Sequence, residues 1–263
     1  MSIPAASRSF AFRRSQNALC TYRGKGFTEG QGSTFMLTLG IDTSGLGGSI
    51  AVTRDGNCLA ERALSRSGRR HARTLVAELK SLFDDVNLPP HTCETVAVSI
   101  GPGSFTGLRV GVVCAKTFAY ATGCTLVAVD THLAIAAASP DDVGQVAVIT
   151  DALRGEVYAG LYERNADGSW STLRQVERLP FDAWIEGVPE TATISGPGLT
   201  AYAEDLAGRT LLPQDHWNPQ ARWIALLGEQ LAREGRSDDL VQMVPKYLRK
   251  SAAEEKADRQ SAP

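Results

Sequence analysis

Apolar residues fall along the chain in short runs, and their spacing switches between two periods. Residues 37–42 (LTLGID), 48–53 (GSIAVT) and 57–64 (NCLAERAL) have strand length, and Asp55-Gly56 between the last two predicts a hairpin. The same order returns about 110 residues later. Residues 146–151 (VAVITD) and 156–163 (EVYAGLYE) flank a turn through Arg154-Gly155, and Asp167-Gly168 leads into 169–177 (SWSTLRQVE). Each copy opens on a strand that ends in an acid, Asp42 in the first and Asp151 in the second.

Helical periods follow each copy. Leu75, Leu79, Leu82, Phe83 and Val86 recur at spacings of three and four and predict a helix over 69–86. TVAVSI (95–100) predicts a strand, 106–122 a helix, TLVAVD (125–130) a strand and 131–138 a short helix. In the second half, 180–186 and 199–206 predict short helices around the strand TATIS (191–195). Asn218-Pro219 reads as a helix start, with Asn as cap and Pro in the first turn, for a helix ending near Gly235. The expected fold is a duplicated α/β architecture of two similar lobes, 36–140 and 141–250, whose last helix, about 219–234, packs back on the N-terminal lobe.

Composition and charge narrow the function classes. The chain has 263 residues, of which 43% are hydrophobic and 21% charged, as in an ordinary globular protein. Its apolar runs are far shorter than the ~20 residues of a membrane-spanning helix. Five scattered cysteines without a C-x-x-C pair fit reduced thiols and a cytoplasmic setting. Residues 1–35 are rich in Arg and Ser and carry a net charge of +4; the other 228 residues carry 22 basic and 28 acidic side chains, a net of −6. An acidic body is a poor autonomous binder of nucleic acid. The first 35 residues have the composition of a transit segment, yet Met36 stands directly before the first strand. They are read as a disordered extension or as sequence upstream of the true start, and 251–263 as a solvated tail.

The loop GPGSFTGLRVG (101–111) lies between a strand and a helix, the setting of an anion-binding turn. Its spacing matches neither the dinucleotide fingerprint nor the P-loop. The helix after it carries Gly107, Gly111, Ala115 and Ala119 at successive spacings of four. Glycine inside a helix costs about 1 kcal/mol relative to alanine, so the stripe implies close approach by another element. Two readings stand side by side: the protein's own sheet, or a helix of another subunit.

LGIDTS, RRHARTL, SIGPGSFTGLRVGVVCAKTFAYATG, DALRGEVY and PKYLRK occur here in an order and spacing that resemble the bacterial TsaB (YeaZ) family, from residue 36 to about 250. The resemblance implies the duplicated ASKHA fold of actin, sugar kinases and Hsp70. It implies a part in threonylcarbamoyl modification of tRNA adenosine next to the anticodon, as the non-catalytic partner of a TsaD-like paralogue, joined by a TsaE-like ATPase. It also implies a homodimer when TsaD is absent, and tRNA contact only through the complex. Its first two helices pair with the same helices of the partner. On this chain that gives His71, Thr74, Leu75 and Glu78 on the first helix, and Gly107, Gly111, Ala115 and Ala119 on the second.

The catalytic paralogues hold a metal with a His-x-x-x-His pair on the helix after TLVAVD. Here His132 is followed four residues on by Ala136, so no metal site and no catalytic residue are expected. Asp42, Thr43, Asp151, Gly196 and Gly198 occupy positions where ASKHA kinases bind Mg²⁺ and nucleotide. They are weak nucleotide candidates, set against a simpler role of Asp42 and Asp151 in closing Asx turns. No cofactor is expected on this chain alone; any ATP is assigned to the interface of the complex. The alternatives are an autonomous small-molecule kinase or ATPase, and a homodimeric scaffold unrelated to tRNA.

Overall fold

The computed structural model describes residues 35–45, 47–64 and 71–248, without the side chains of 71–73. The readings made for residues 1–34 and for the tail lie outside the described residues. Strands β1 (Leu37–Asp42), β2 (Ser49–Arg54) and β3 (Asn57–Ala63) form an antiparallel meander. Helix α1 (His71–Asp85) leads to β4 (Thr95–Ser99), and α2 (Phe105–Thr122) leads to β5 (Thr125–Val129). The five strands make one sheet in the order β3-β2-β1-β4-β5, with β1, β4 and β5 parallel.

The second half repeats the meander with β6 (Gln145–Leu153), β7 (Glu156–Arg164) and β8 (Trp170–Pro180). Helix α4 (Phe181–Gly187) follows, then β9 (Thr193–Ser195), which pairs parallel to β6. The second sheet runs β8-β7-β6-β9. Between the sheets lies α3 (Thr131–Ala137), which is packed on β6, β7 and β8. The whole is a duplicated ASKHA α/β fold.

Local chemistry sets the element ends. Ser104 caps α2 by accepting from Gly107 N at 3.3 Å, and Gly123, at φ +75°, closes it. Asp130 caps α3 through Leu133 N. The stretch read as one helix over 199–206 is α5 (Leu199–Tyr202) followed by a 3₁₀ turn at 204–206.

The last helix, α6 (Ala221–Arg233), starts later than Asn218-Pro219 suggests. Its first amides are satisfied across the fold: Ala221 N donates to Ser49 Oγ at 2.8 Å and Arg222 N to Glu61 Oε1 at 3.1 Å. These partners lie more than 160 residues away in sequence, so no local cap signal announces the start. Helix α6 packs on β1, β4, β2 and β5 of the N-terminal sheet. The approach is close because the meeting residues are small. A Cβ on Gly40 would sit 2.8 Å from Ala225 Cβ, and one on Gly228 would run into Ala97. Buried Glu229 ties the far end of α6 to the β2–β3 turn through Gly56 N.

Candidate functional site

Three places follow from the sequence: the acid-ended strands, the histidine of α3, and the helix pair α1–α2. At the first strand end Asp42 is fully buried. Its Oδ1 accepts from Ser44 N, Ser44 Oγ and Ser99 Oγ at 2.7–3.2 Å. Its Oδ2 is sealed and has no partner among the described residues. Burial pushes its carboxyl above the ordinary range, as desolvation disfavours the charged form. Thr43 is also buried; its hydroxyl donates to Gly107 O at 2.8 Å. The glycine loop closes over this turn, with Ser104 N donating to Ser44 O at 2.6 Å. This carboxylate faces protein instead of an open nucleotide cleft.

At the second strand end Asp151 is half-buried, and its Oδ1 accepts from Leu153 N at 2.7 Å, an Asx turn. Gly196 and Gly198 press on the neighbouring β6 backbone. A Cβ on Gly196 would collide with Ile149 O, and one on Gly198 would lie 3.0 Å from it. These glycines permit the chain to turn against its own sheet. Thus the five nucleotide candidates are all engaged in intrachain contacts, and the structure groups them as two separate turns.

His132 is fully buried in α3, with Nε2 at 2.8 Å from Thr150 Oγ1 on β6. Burial, with Lys246 adding to it, pushes its pKa down to about 3, so the ring is neutral. It is one imidazole; position 136 is alanine, and among the described residues no three of His, Cys, Asp and Glu come together as a metal site. Asp130 beside it caps α3 and accepts from Tyr162 Oη at 3.1 Å. This cluster joins the two lobes. Cys114 on α2 has its thiol pushed up to about 11 by burial, which leaves it a poor nucleophile.

The helix pair requires a correction. The resemblance implies that Gly107, Gly111, Ala115 and Ala119 face a partner, yet the stripe turns inward. A Cβ on Gly107 would collide with Thr43 O, and one on Gly111 with Thr43 Oγ1. Ala115 and Ala119 are buried in the N-terminal core. Leu75 of α1 is buried in the same core, so it too is packing. Thr74 is half-buried, and Glu78 pairs with Arg62 of β3 at 3.3 Å. The side chain of His71 lies outside the described residues.

What faces outward is a different set. Val76 on α1 is 69% exposed, and Val113 and Tyr120 on α2 are 62% and 84% exposed. Sequence reading missed them because it followed the conspicuous small residues. The signal was present: 113 and 120 are seven apart, on the side of α2 away from the stripe. Also missed was the irregular segment 238–248, which turns at 239–243 and runs from the edge of β5 past α2. Of it, only PKYLRK stood out.

Comparison with known proteins places the chain in a family. Residues 58–175 match the family model described as TsaD, tRNA N6-adenosine threonylcarbamoyltransferase. The tRNA threonylcarbamoyladenosine biosynthesis protein TsaB of Bacillus subtilis is 30% identical over 84% of this chain and 97% of its own length. The protein of that name from Escherichia coli is 25% identical over 83% of this chain and 96% of its own. A Pseudomonas aeruginosa crystal structure, of a protein with similarity to peptidase YEAZ, superposes with a TM-score of 0.71 at 25% identity. It covers 81% of this chain and 100% of its own. With near-complete coverage at this identity and the same duplicated fold, the chain belongs to the TsaB family.

Proposed function

We propose that this protein serves threonylcarbamoyl modification of tRNA adenosine as a non-catalytic, cytoplasmic subunit that binds and positions a TsaD-like threonylcarbamoyltransferase. The observation that carries this reading is the outward face of α1 and α2. Val76, Val113 and Tyr120 expose apolar surface there while the helices' inner faces are packed on the sheet. Surface of this kind on two ordered, neighbouring helices is what a helix-pairing partner covers. The TsaD family model matches the stretch that contains both helices, so a paralogous partner would bring an equivalent pair.

The chain's own chemistry supports a binding role. Among the described residues, Asp42 is buried under its own turn, Asp151 closes an Asx turn and His132 stands without a second histidine four residues on, an arrangement that suits a binding role. A TsaE-like ATPase and tRNA are read as joining through the assembled complex, with any ATP at its interface, and self-pairing as using the same helix face. The test is capture of partners on the tagged full chain, with mass-spectrometric identification. A TsaD-like protein is expected with the wild type and is expected to be lost with Tyr120→Glu. Its absence with the wild type, together with phosphorylation of a small molecule by the chain alone, would favour the kinase reading.

A further inference from the structure

Beyond the two helices, a third ordered element borders the same face. Residues 238–248 form a strap that starts at the free edge of β5, turns at 239–243 where Asp239 Oδ1 accepts from Val241 N and Gln242 N, and ends beside Ile100 after β4. Asp238 N donates to Leu126 O at 2.8 Å, and its carboxylate accepts from Ala128 N at 2.8 Å. Since the sheet runs β3-β2-β1-β4-β5, with α1 on β2 and β3 and α2 on β4 and β5, the strap lies on the far side of α2 from α1. Leu240 and Met243 pack down into the N-terminal core. Lys116 of α2 pins the strap by donating to Val241 O and Met243 O, both at 3.1 Å. Tyr247 stacks on Phe105 with ring centres 4.4 Å apart, and its hydroxyl accepts from Arg109 Nε at 2.8 Å. Farther on, Lys246 N donates to Ile100 O and Leu248 packs against the C-terminal lobe.

A segment fastened this way could bury its apolar side chains or leave polar ones outside. Instead Val241 is 77% and Val244 66% exposed. Among the described residues, six of the nine exposed large hydrophobic side chains lie on α1, α2 and this strap. Single exposed apolar residues are normal, but their concentration on three adjacent elements marks an interface. Area points the same way. At ~1.5 Å rise per residue and ~10 Å width, helices of the lengths of α1 and α2 offer roughly 500 Å² side by side. A stable specific pair covers about 800 Å² per partner. The strap adds adjoining apolar surface to this face.

We infer that Val241 and Val244, held in place by Lys116 and Tyr247, form a second docking ridge for the paralogous transferase and favour it over a second copy of this chain. The inference rests on the partner role proposed above. The stretch matched by the transferase family model ends at residue 175, so it contains α1 and α2 and leaves the strap outside. In the reading proposed above, the self-pair and the mixed pair both use the α1–α2 face. The strap adds contacts that come from outside the matched elements, which is where discrimination between the two pairings can arise.

The experiment measures binding of the full chain to the purified transferase paralogue by calorimetry, and self-association by sedimentation. Three forms are compared: wild type, Val241→Glu with Val244→Glu, and Tyr120→Glu. A charge desolvated in an interface without a partner weakens binding by about tenfold or more. The strap variant is expected to lose paralogue affinity on that scale, keep the wild-type melting temperature and change self-association less than about threefold. Serine at both positions checks the same loss with a milder change should glutamate disturb folding. Tyr120→Glu is expected to weaken both pairings. Wild-type paralogue affinity in the strap variant, with Tyr120→Glu defective, overturns the strap role and leaves the helix interface standing. Equal loss of both pairings in the strap variant overturns the selectivity. Wild-type binding by both variants overturns the helix interface as well.

Discussion

The N-terminal lobe covers both faces of its sheet with long helices, α1 and α2 on one side and α6 on the other. The C-terminal lobe starts from the same strand–acid–turn–strand plan. It is covered by α4 and α5, of seven and four residues, on one face and by α3 on the other. Both lobes place glycines where the chain must come close to a neighbouring segment: Gly107 against the Thr43 carbonyl and Gly111 against the Thr43 side chain in the first, Gly196 and Gly198 against the Ile149 backbone in the second. They differ in what is left over. The first lobe retains two full helices with an unburied apolar side, and it borrows α6 from the second half. Among the described residues, both copies thus keep the strand–acid–turn plan, while the two long helices with exposed apolar side chains lie on the first copy.

The comparison can be broken most severely at Gly111. A side chain there would displace Thr43 and the turn beneath the glycine loop. Gly111→Leu is expected to cost about 3 kcal/mol or more, because overpacking against the short, buried side chains of Thr43 and Val98 leaves little room to relax. For a chain of this size that is a fall of roughly 10 °C in melting temperature. A mutant that melts like the wild type would show that the stripe faces solvent after all.

The link between the lobes is tested next, through His132. Its folded pKa of about 3 lies below the ordinary 6.5. Below pH 6.5 the unfolded chain takes up a proton that the buried ring refuses, so stability falls as pH drops from 6.5 toward 3. The loss is about 1.4 kcal/mol per pH unit, or roughly 2 kcal/mol at pH 5. His132→Gln is expected to be less stable than the wild type at pH 7.5, through lost packing, but to show a flatter decline between pH 7.5 and pH 5. Denaturant melts at the two pH values check it. Parallel declines would mean that the ring is not held neutral.

The smallest change is expected on the outward side of α2. Tyr120 is 84% exposed, so Tyr120→Glu should shift stability by no more than about 0.5 kcal/mol. Leu173→Glu on β8, 45% exposed in the other lobe, should be as mild. The two should part company in partner capture, where only the first is defective. Equal capture would remove the distinction between the lobes.

Much of this was legible in the sequence. The period-two runs and the two Asp-Gly turns gave both meanders, and the three-and-four spacing around Leu75 and Leu79 gave α1 to within two residues at either end. What was not legible depended on distant partners. The start of α6 is set by Ser49 and Glu61, and a local Asn-Pro signal misplaced it. The Gly107–Ala119 stripe announced close approach but could not say to what; the answer, Thr43, lies 64 residues upstream of Gly107. The strap has no period of its own, since its order comes from Lys116, Phe105 and Arg109 on α2.

In the function proposed here, this chain positions a catalytic paralogue and does not itself transfer the threonylcarbamoyl group. The most direct test of that role is reconstitution on unmodified tRNA with a supply of the activated threonylcarbamoyl donor and ATP. The arms are the full chain alone, the paralogue with its ATPase, and all three together. Nucleoside analysis of the tRNA is the readout. No modified adenosine is expected from the chain alone, and a strong stimulation is expected when it joins the other two, lost with Tyr120→Glu. Modification by the chain alone, or an unchanged yield when it is added, would contradict it.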